Sequence, residues 1–232
     1  MILTILICVL TALPQERRLS GEEVLKNLER TFESIQDLAV TIEGTVSMEG
    51  VKVPKTSTEM YFKRPDKLHF SSRSFTVVPR DGMSPNPEEL RKKYDATNLG
   101  EDTTWGRKLI KLQLAARDPK VRLRQMFVWV NPTTWTLARI ESMPYEGRTV
   151  ALDFTYGLIE GRYWLPTQLV VIFGISGPQS EEIFKLPDGA PNPAPQMTEL
   201  QRALRSGSVS FVYRDHKVNA GIPDSVFVRK GN

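Results

Sequence analysis

From Thr58 to Ser72 the chain reads TEMYFKRPDKLHFSS, two short runs of alternating apolar and polar residues hinged on Arg64-Pro65-Asp66-Lys67. Met60 and Phe62 precede the hinge, and Leu68 and Phe70 follow it. Members of each pair are two apart, so in a strand they share one face, whereas a helix would scatter them. Pro65 presets φ near about −65° and Asp66 tolerates the next position, which together suit a turn between antiparallel strands. The same alternation returns almost to the end of the chain. A chain built this way has to form a large sheet with one apolar face, and no catalytic group interrupts the hairpin.

One helix precedes the strands. Ser20-Gly21-Glu22-Glu23 is a capping box, in which the Ser20 hydroxyl accepts from the Glu23 amide and the Glu23 carboxylate reaches back. Leu25, Leu28, Phe32 and Ile35 follow at spacings of three and four, giving one apolar stripe. A helix over 21–36 is expected, with Lys26, Glu29, Arg30 and Glu33 facing elsewhere.

Strands are expected at 38–49, 56–63 and 67–77, then at 107–115, 122–130, 135–143, 148–156, 163–173 and 208–219. Their links are too short for crossover helices, so the pairing is antiparallel. Between them, 79–95 reads as an excursion over the sheet, with a short polar helix at 87–95 and a solvated basic run, Arg91-Lys92-Lys93. Residues 174–198 carry Pro178, Pro187, Pro191, Pro193 and Pro195 and read as an exposed loop, with a short helix at 197–205. The closing AGIPDSVF turns Val226 and Phe227 back onto the core. The fold class that follows is α+β: a curved, mostly antiparallel sheet of some nine strands forming an incomplete β-barrel, covered by a few helices, the first of them in its concavity. A curled open sheet leaves a cavity unless side chains fill it.

The chain has 232 residues, 40% of them hydrophobic, enough to bury a core as one domain without disulfides or metals. Its net charge of +4 is spread along the chain, which argues against a nucleic-acid partner; a monomer is expected. Residues 1–13 read as a signal peptide, because Ile2 to Leu13 is an uncharged run of secretory length and too short to span a bilayer. A single domain would then occupy 14–232, exported to the periplasm. Cys8, the one cysteine, lies inside that run after Ile7 rather than after a small residue, which disfavours lipid anchoring. Cleavage after Ala12 would leave no thiol, and with it no disulfide or thiolate chemistry.

Candidate chemistry is sparse. His69 and His216 are the two histidines; they lie far apart in the chain, neither has an i,i+4 partner for a metal, and His216 reads as part of an exposed strand end. No nucleophile elbow, phosphate loop, zinc motif or calcium loop is present. No catalytic residue, cofactor or metal is expected. The aromatics instead favour binding. Trp105, Trp129, Trp135 and Trp164 fall at strands or strand ends, and Phe62, Phe70, Phe127, Phe154, Phe173 and Phe211 spread over six strand segments. Within an incomplete barrel, some would line an apolar cavity.

Several segments together carry a resemblance: YFKRPDKLHFSS at 61–72, LGEDTTWGRKLIKLQL at 99–114, the run VWVNPTTWTLARIESMPYEGRTVALDFTYG at 128–157, WLPTQLVV at 164–171 and VNAGIPDSVF at 218–227. The chain resembles the bacterial LolA-like proteins, which include the lipoprotein carrier LolA, its receptor LolB and the regulators RseB/MucB. The resemblance implies a non-enzymatic periplasmic half-barrel taking a lipid or the acyl chains of an outer-membrane lipoprotein, with Phe32, Ile35, Met60, Phe62, Leu68 and Phe70 as its cavity wall. An RseB/MucB-like envelope sensor acting on a membrane protein is the alternative, its 174–198 loop engaging the partner. The resemblance also implies a gating role at His69, where LolA carriers have an arginine that hydrogen-bonds to the lid; imidazole is shorter and mostly neutral at pH 7.

Overall fold

The computed structural model describes residues 18–47, 55–71, 87–121, 123–142, 148–175 and 207–228. Helix α1 spans Gly21–Phe32, and strands β1 (Asp37–Ser47), β2 (Thr56–Lys63) and β3 (Lys67–Phe70) follow. A short helix α2 (Glu88–Lys93) leads into β4 (Tyr94–Thr104), β5 (Arg107–Ala116), β6 (Gln125–Asn131), β7 (Thr136–Ser142), β8 (Arg148–Ile159), β9 (Tyr163–Ile175) and β10 (Gly207–Val218), with a 3₁₀ turn at Asp224–Phe227. All ten strands form one sheet in the order β3-β2-β1-β10-β9-β8-β7-β6-β5-β4. Every neighbouring pair is antiparallel, as short links require.

The described residues hold ten strands where nine were expected. The addition is β4, whose inward positions carry Tyr94, Ala96 and Asn98 in place of a run of large apolar residues. These small and polar groups receive the start of α1. The Asn98 amide donates to the Leu19 carbonyl at 2.6 Å, and a Cβ on Gly21 would collide with the Ala96 carbonyl oxygen. Helix α1 also ends earlier than expected, at Phe32 rather than 36. Its capping box forms as the sequence predicts, with Ser20 N–H donating to Glu23 Oε2 at 2.7 Å and Glu23 N–H donating to Ser20 Oγ at 3.2 Å. The basic run at 91–93 is held in ion pairs, Arg91 with Glu22 and Glu29, Lys92 with Glu88 and Lys93 with Glu89. The expected signal peptide at 1–13, the strand ends at 48–49 and 72–77, the loop from 176 to 198 and the helix at 197–205 lie outside the described residues.

Two buried clusters cover the inward face. One joins Phe32 and Ile35 to Leu38, Val40, Ile42, Met60, Phe62, Tyr163, Leu165, Leu169, Val171, Val209, Phe211 and Tyr213. The other joins Val24, Leu25 and Leu28 to residues of β4, β5, β6 and β7, including Leu112, Leu114 and Val128. Helix α1 thus serves both clusters with its apolar stripe, each buried side chain contributing roughly 1.5–3 kcal/mol before entropy is counted.

The sheet must curl to allow this. Gly21 lies against β4, while the Phe32 ring stands 5.4 Å from that of Phe62 on β2. Eight strand spacings separate β2 from β4, roughly 38 Å in a flat sheet, yet twelve helical residues extend only about 18 Å. The two edges therefore approach each other around α1. No ladder joins β3 to β4 among the described residues, so the barrel stays incomplete.

Replacing Gly21 with Ala should lower stability by about 1–3 kcal/mol, because the new methyl meets backbone that cannot rotate away. Urea unfolding followed by circular dichroism checks this; an unchanged midpoint would mean that the helix start can shift off β4.

Candidate functional site

Pairing registers build one continuous apolar surface on the inward side. Phe70 lies opposite Met60 and Leu68 opposite Phe62; Met60 and Phe62 face Val40 and Leu38 of β1. On the other side of β1, Ile42 faces Tyr213 and Val46 faces Val209. The row continues through Leu169 and Val171 of β9 to Phe154 and Leu152 of β8, and through Ile140 to Val128 and Leu112. Residues that share a face across antiparallel strands are the unit of such packing.

Burial along this surface is uneven. Phe32, Ile35, Met60 and Phe62 are 4%, 0%, 1% and 1% exposed, so they are packed core with almost no area left for a ligand. Leu68 and Phe70 pack against the same cluster but keep accessible area, as do Val46, Val150, Leu152, Phe154 and Phe173. The structure thus brings all six expected wall residues together and divides them into a sealed group of four and an accessible group of two. Val46, Val150, Leu152, Phe154 and Phe173 lie toward the end of the sheet near the start of β10 at Gly207, whereas Leu68 and Phe70 lie on the β3 edge, across the sealed group.

Not every aromatic faces inward. Trp129 stands on the convex side, its indole N–H donating to Asp102 at 2.8 Å. That hydrogen bond, helped by Lys111, holds the Asp102 carboxyl below its ordinary value. The Lys111 ammonium lies 4.8 Å from the centres of both the Phe127 and Trp129 rings, and Arg139 lies over Trp129 and Trp105. Trp135 caps the β6–β7 turn and packs on the second cluster, its carbonyl accepting from the Thr31 hydroxyl of α1 at 3.2 Å. Among the described residues, no three His, Cys, Asp or Glu side chains gather as a metal-holding group.

No protein-family model matches the chain, and no curated protein matches its sequence. Solved structures do share its shape. A DUF1329 family protein from Desulfovibrio piger superposes with a TM-score of 0.64 at 14% identity, over 90% of this chain and 96% of that one. A LolA superfamily protein from Nitrosomonas europaea gives 0.58 at 14% identity, over 91% and 99%. A putative outer membrane lipoprotein-sorting protein domain from Vibrio parahaemolyticus gives 0.57 at 12% identity, over 89% and 95%. The chain has a LolA-like fold.

Within this LolA-like fold, His69 stands opposite Tyr61 on the outward side, ring centres 6.3 Å apart, and faces away from Leu68 and Phe70. The side chain that reaches the end of α1 is Arg64, in the β2–β3 hinge. Its Nε donates to the Ile35 carbonyl at 2.9 Å, just past the helix, and its Nη2 to the Phe32 carbonyl at 3.0 Å, an acceptor that the helix end leaves without an intrahelical partner. Its Nη1 lies 3.4 Å from Glu88 of α2, so one guanidinium ties together α1, the β2–β3 edge and the entry to β4. The sequence marked Arg64 only as a hinge residue; an arginine next to a turn gives no local sign of the carbonyls it will meet.

His216 differs from its expected exposed position. It is half-buried, with Nε2 2.9 Å from the Pro166 carbonyl, beyond the point where the β9–β10 ladder ends at Gln168 and Val212. Burial lowers its pKa, opposed by the Pro166 contact and by Asp215. Of the closing turn, Val226 and Phe227 are half-buried, while Ile222 is buried at 6% exposure.

Arg64→Ala should destabilise the fold by about 2 kcal/mol, the scale of hydrogen bonds from a charged donor. Arg64→Lys should recover less than half of that loss, since an ammonium cannot reproduce the planar fork. Denaturant midpoints of the three proteins, compared at equal m-value, test both statements.

Proposed function

We propose that the protein is a non-enzymatic periplasmic carrier that holds a lipid or lipoprotein acyl chain against the concave face of its sheet. The observation that carries this reading is the accessible remainder of that face: Leu68 and Phe70 on β3, and Val150, Leu152, Phe154 and Phe173 on β8 and β9, keep apolar area beside the sealed core. Contiguous exposed apolar area marks binding sites in folded proteins, and an acyl chain needs apolar walls with few polar anchors. The lipoprotein-sorting domain and LolA superfamily structures with the same shape support the choice of cargo. The apolar run at 1–13 supports export.

Leu68 and Phe70 are the wall residues on this reading, while Phe32, Ile35, Met60 and Phe62 back them from the core. His69 takes no direct part in gating, because its side chain leaves the opposite face of β3.

A pyrene-labelled diacylglycerol should bind the purified protein and shift its emission. Phe70→Glu, which places a charge on the accessible wall, should weaken that binding at least tenfold with an unchanged far-UV spectrum. Full binding by the folded variant would remove Phe70 from the wall. No binding by the wild type would sink the carrier reading.

A further inference from the structure

The inward face contains phenols where hydrocarbon alone would pack. Tyr213 of β10 lies opposite Ile42 in the register and is 7% exposed inside the first cluster. Its hydroxyl makes no hydrogen bond to any described residue, although a buried hydroxyl without a partner is costly. Phe211, two residues earlier on the same face, meets the packing need with no such cost. Tyr156 of β8 borders the second cluster together with Phe154, which touches both clusters. Tyr156 stands opposite Pro166 of β9, and Tyr213 comes one residue after Val212, whose β9 partner is Gln168, so the two phenols flank β9 at nearly one level. Burial pushes both well above their ordinary pKa, and Tyr213 adds to the rise at Tyr156. A backbone hydrogen bond at Leu137 opposes the rise at Tyr156, and a phenol that accepts one hydrogen bond still has its own O–H to donate.

Resting on the carrier reading, we propose that Tyr213 and Tyr156 are the polar anchor of the lipid site and donate hydrogen bonds to the carbonyl oxygen of a neutral acyl ester. Two neutral O–H donors suit an uncharged acceptor. A carboxylate drawn to the same place would need a cation, and the buried polar and charged groups among the described residues are Asp37, Thr58, Thr136 and Ser142, with no lysine or arginine. The ligand class is therefore an O-acyl lipid whose ester lies beside the phenols and whose chain runs toward Phe154, Leu152 and Phe173.

The test compares 1-monopalmitoylglycerol with 1-O-hexadecylglycerol, its ether analogue without the carbonyl, as competitors of the pyrene-labelled diacylglycerol. Wild-type protein should bind the ester about tenfold more tightly than the ether, the scale of one or two hydrogen bonds. Tyr213→Phe and Tyr156→Phe should each reduce that preference to threefold or less while leaving ether binding unchanged. Equal affinity of the wild type for the two lipids, or full ester preference in both variants, would overturn the anchor and leave the carrier reading standing. Failure of the wild type to bind the probe or either lipid would overturn both.

Discussion

The fold depends on covering an apolar sheet face that is larger than helix α1. Nine strand spacings make a sheet roughly 43 Å across, against a helix about 18 Å long and about 10 Å wide. Curling resolves part of the mismatch by bringing both edges to α1: Gly21 meets β4 while Phe32 meets β2. Arg64 then holds the arrangement by bonding the last carbonyls around α1 and pairing with Glu88. What the helix cannot reach stays partly accessible, at Leu68 and Phe70 on one side of the sealed core and at Val150, Leu152 and Phe173 on the other.

The division into sealed and accessible wall has an energetic logic. An apolar face left fully open would be an aggregation hazard, and a face packed throughout would have nothing to offer a ligand. The side chains that keep area here are half-buried rather than exposed, so each already gains most of its burial energy in this fold. Arg139, Lys111, Asp102 and Asp153 form their ion pairs on the convex side or at its margin, and burial raises the Asp153 pKa while Arg139 restrains it.

Much of this was legible from residue spacing. The period-two runs gave the strands, and the register confirms that Met60, Phe62, Leu68 and Phe70 share a face. The Ser20-Glu23 box was readable because both its partners lie within three residues. The missing strand, β4, failed to show because its inward residues are small or polar to admit the backbone of α1, so the alternation that betrays a strand was absent. The early end of α1 was hidden for the same reason: Ile35 keeps the apolar stripe, but Arg64, some thirty residues on, takes its carbonyl from outside the helix. His216 was misplaced because its acceptor, the Pro166 carbonyl, belongs to a neighbouring strand fifty residues away.

The wall residues show where such reading stops. Alternation assigns Phe62 and Phe70 equally to the inward face, yet one is 1% exposed and the other keeps accessible area. The difference is set by what packs over each: Phe62 meets Phe32 of α1, while β3 has, among the described residues, a pairing partner on one side only. Tyr213 makes the same point in polar form, since its spacing matches Val209 and Phe211 and nothing local separates a phenol with an acceptor from one without. Position in a strand decides which side of the sheet a residue serves; its role as core or as site depends on how far the covering helix extends.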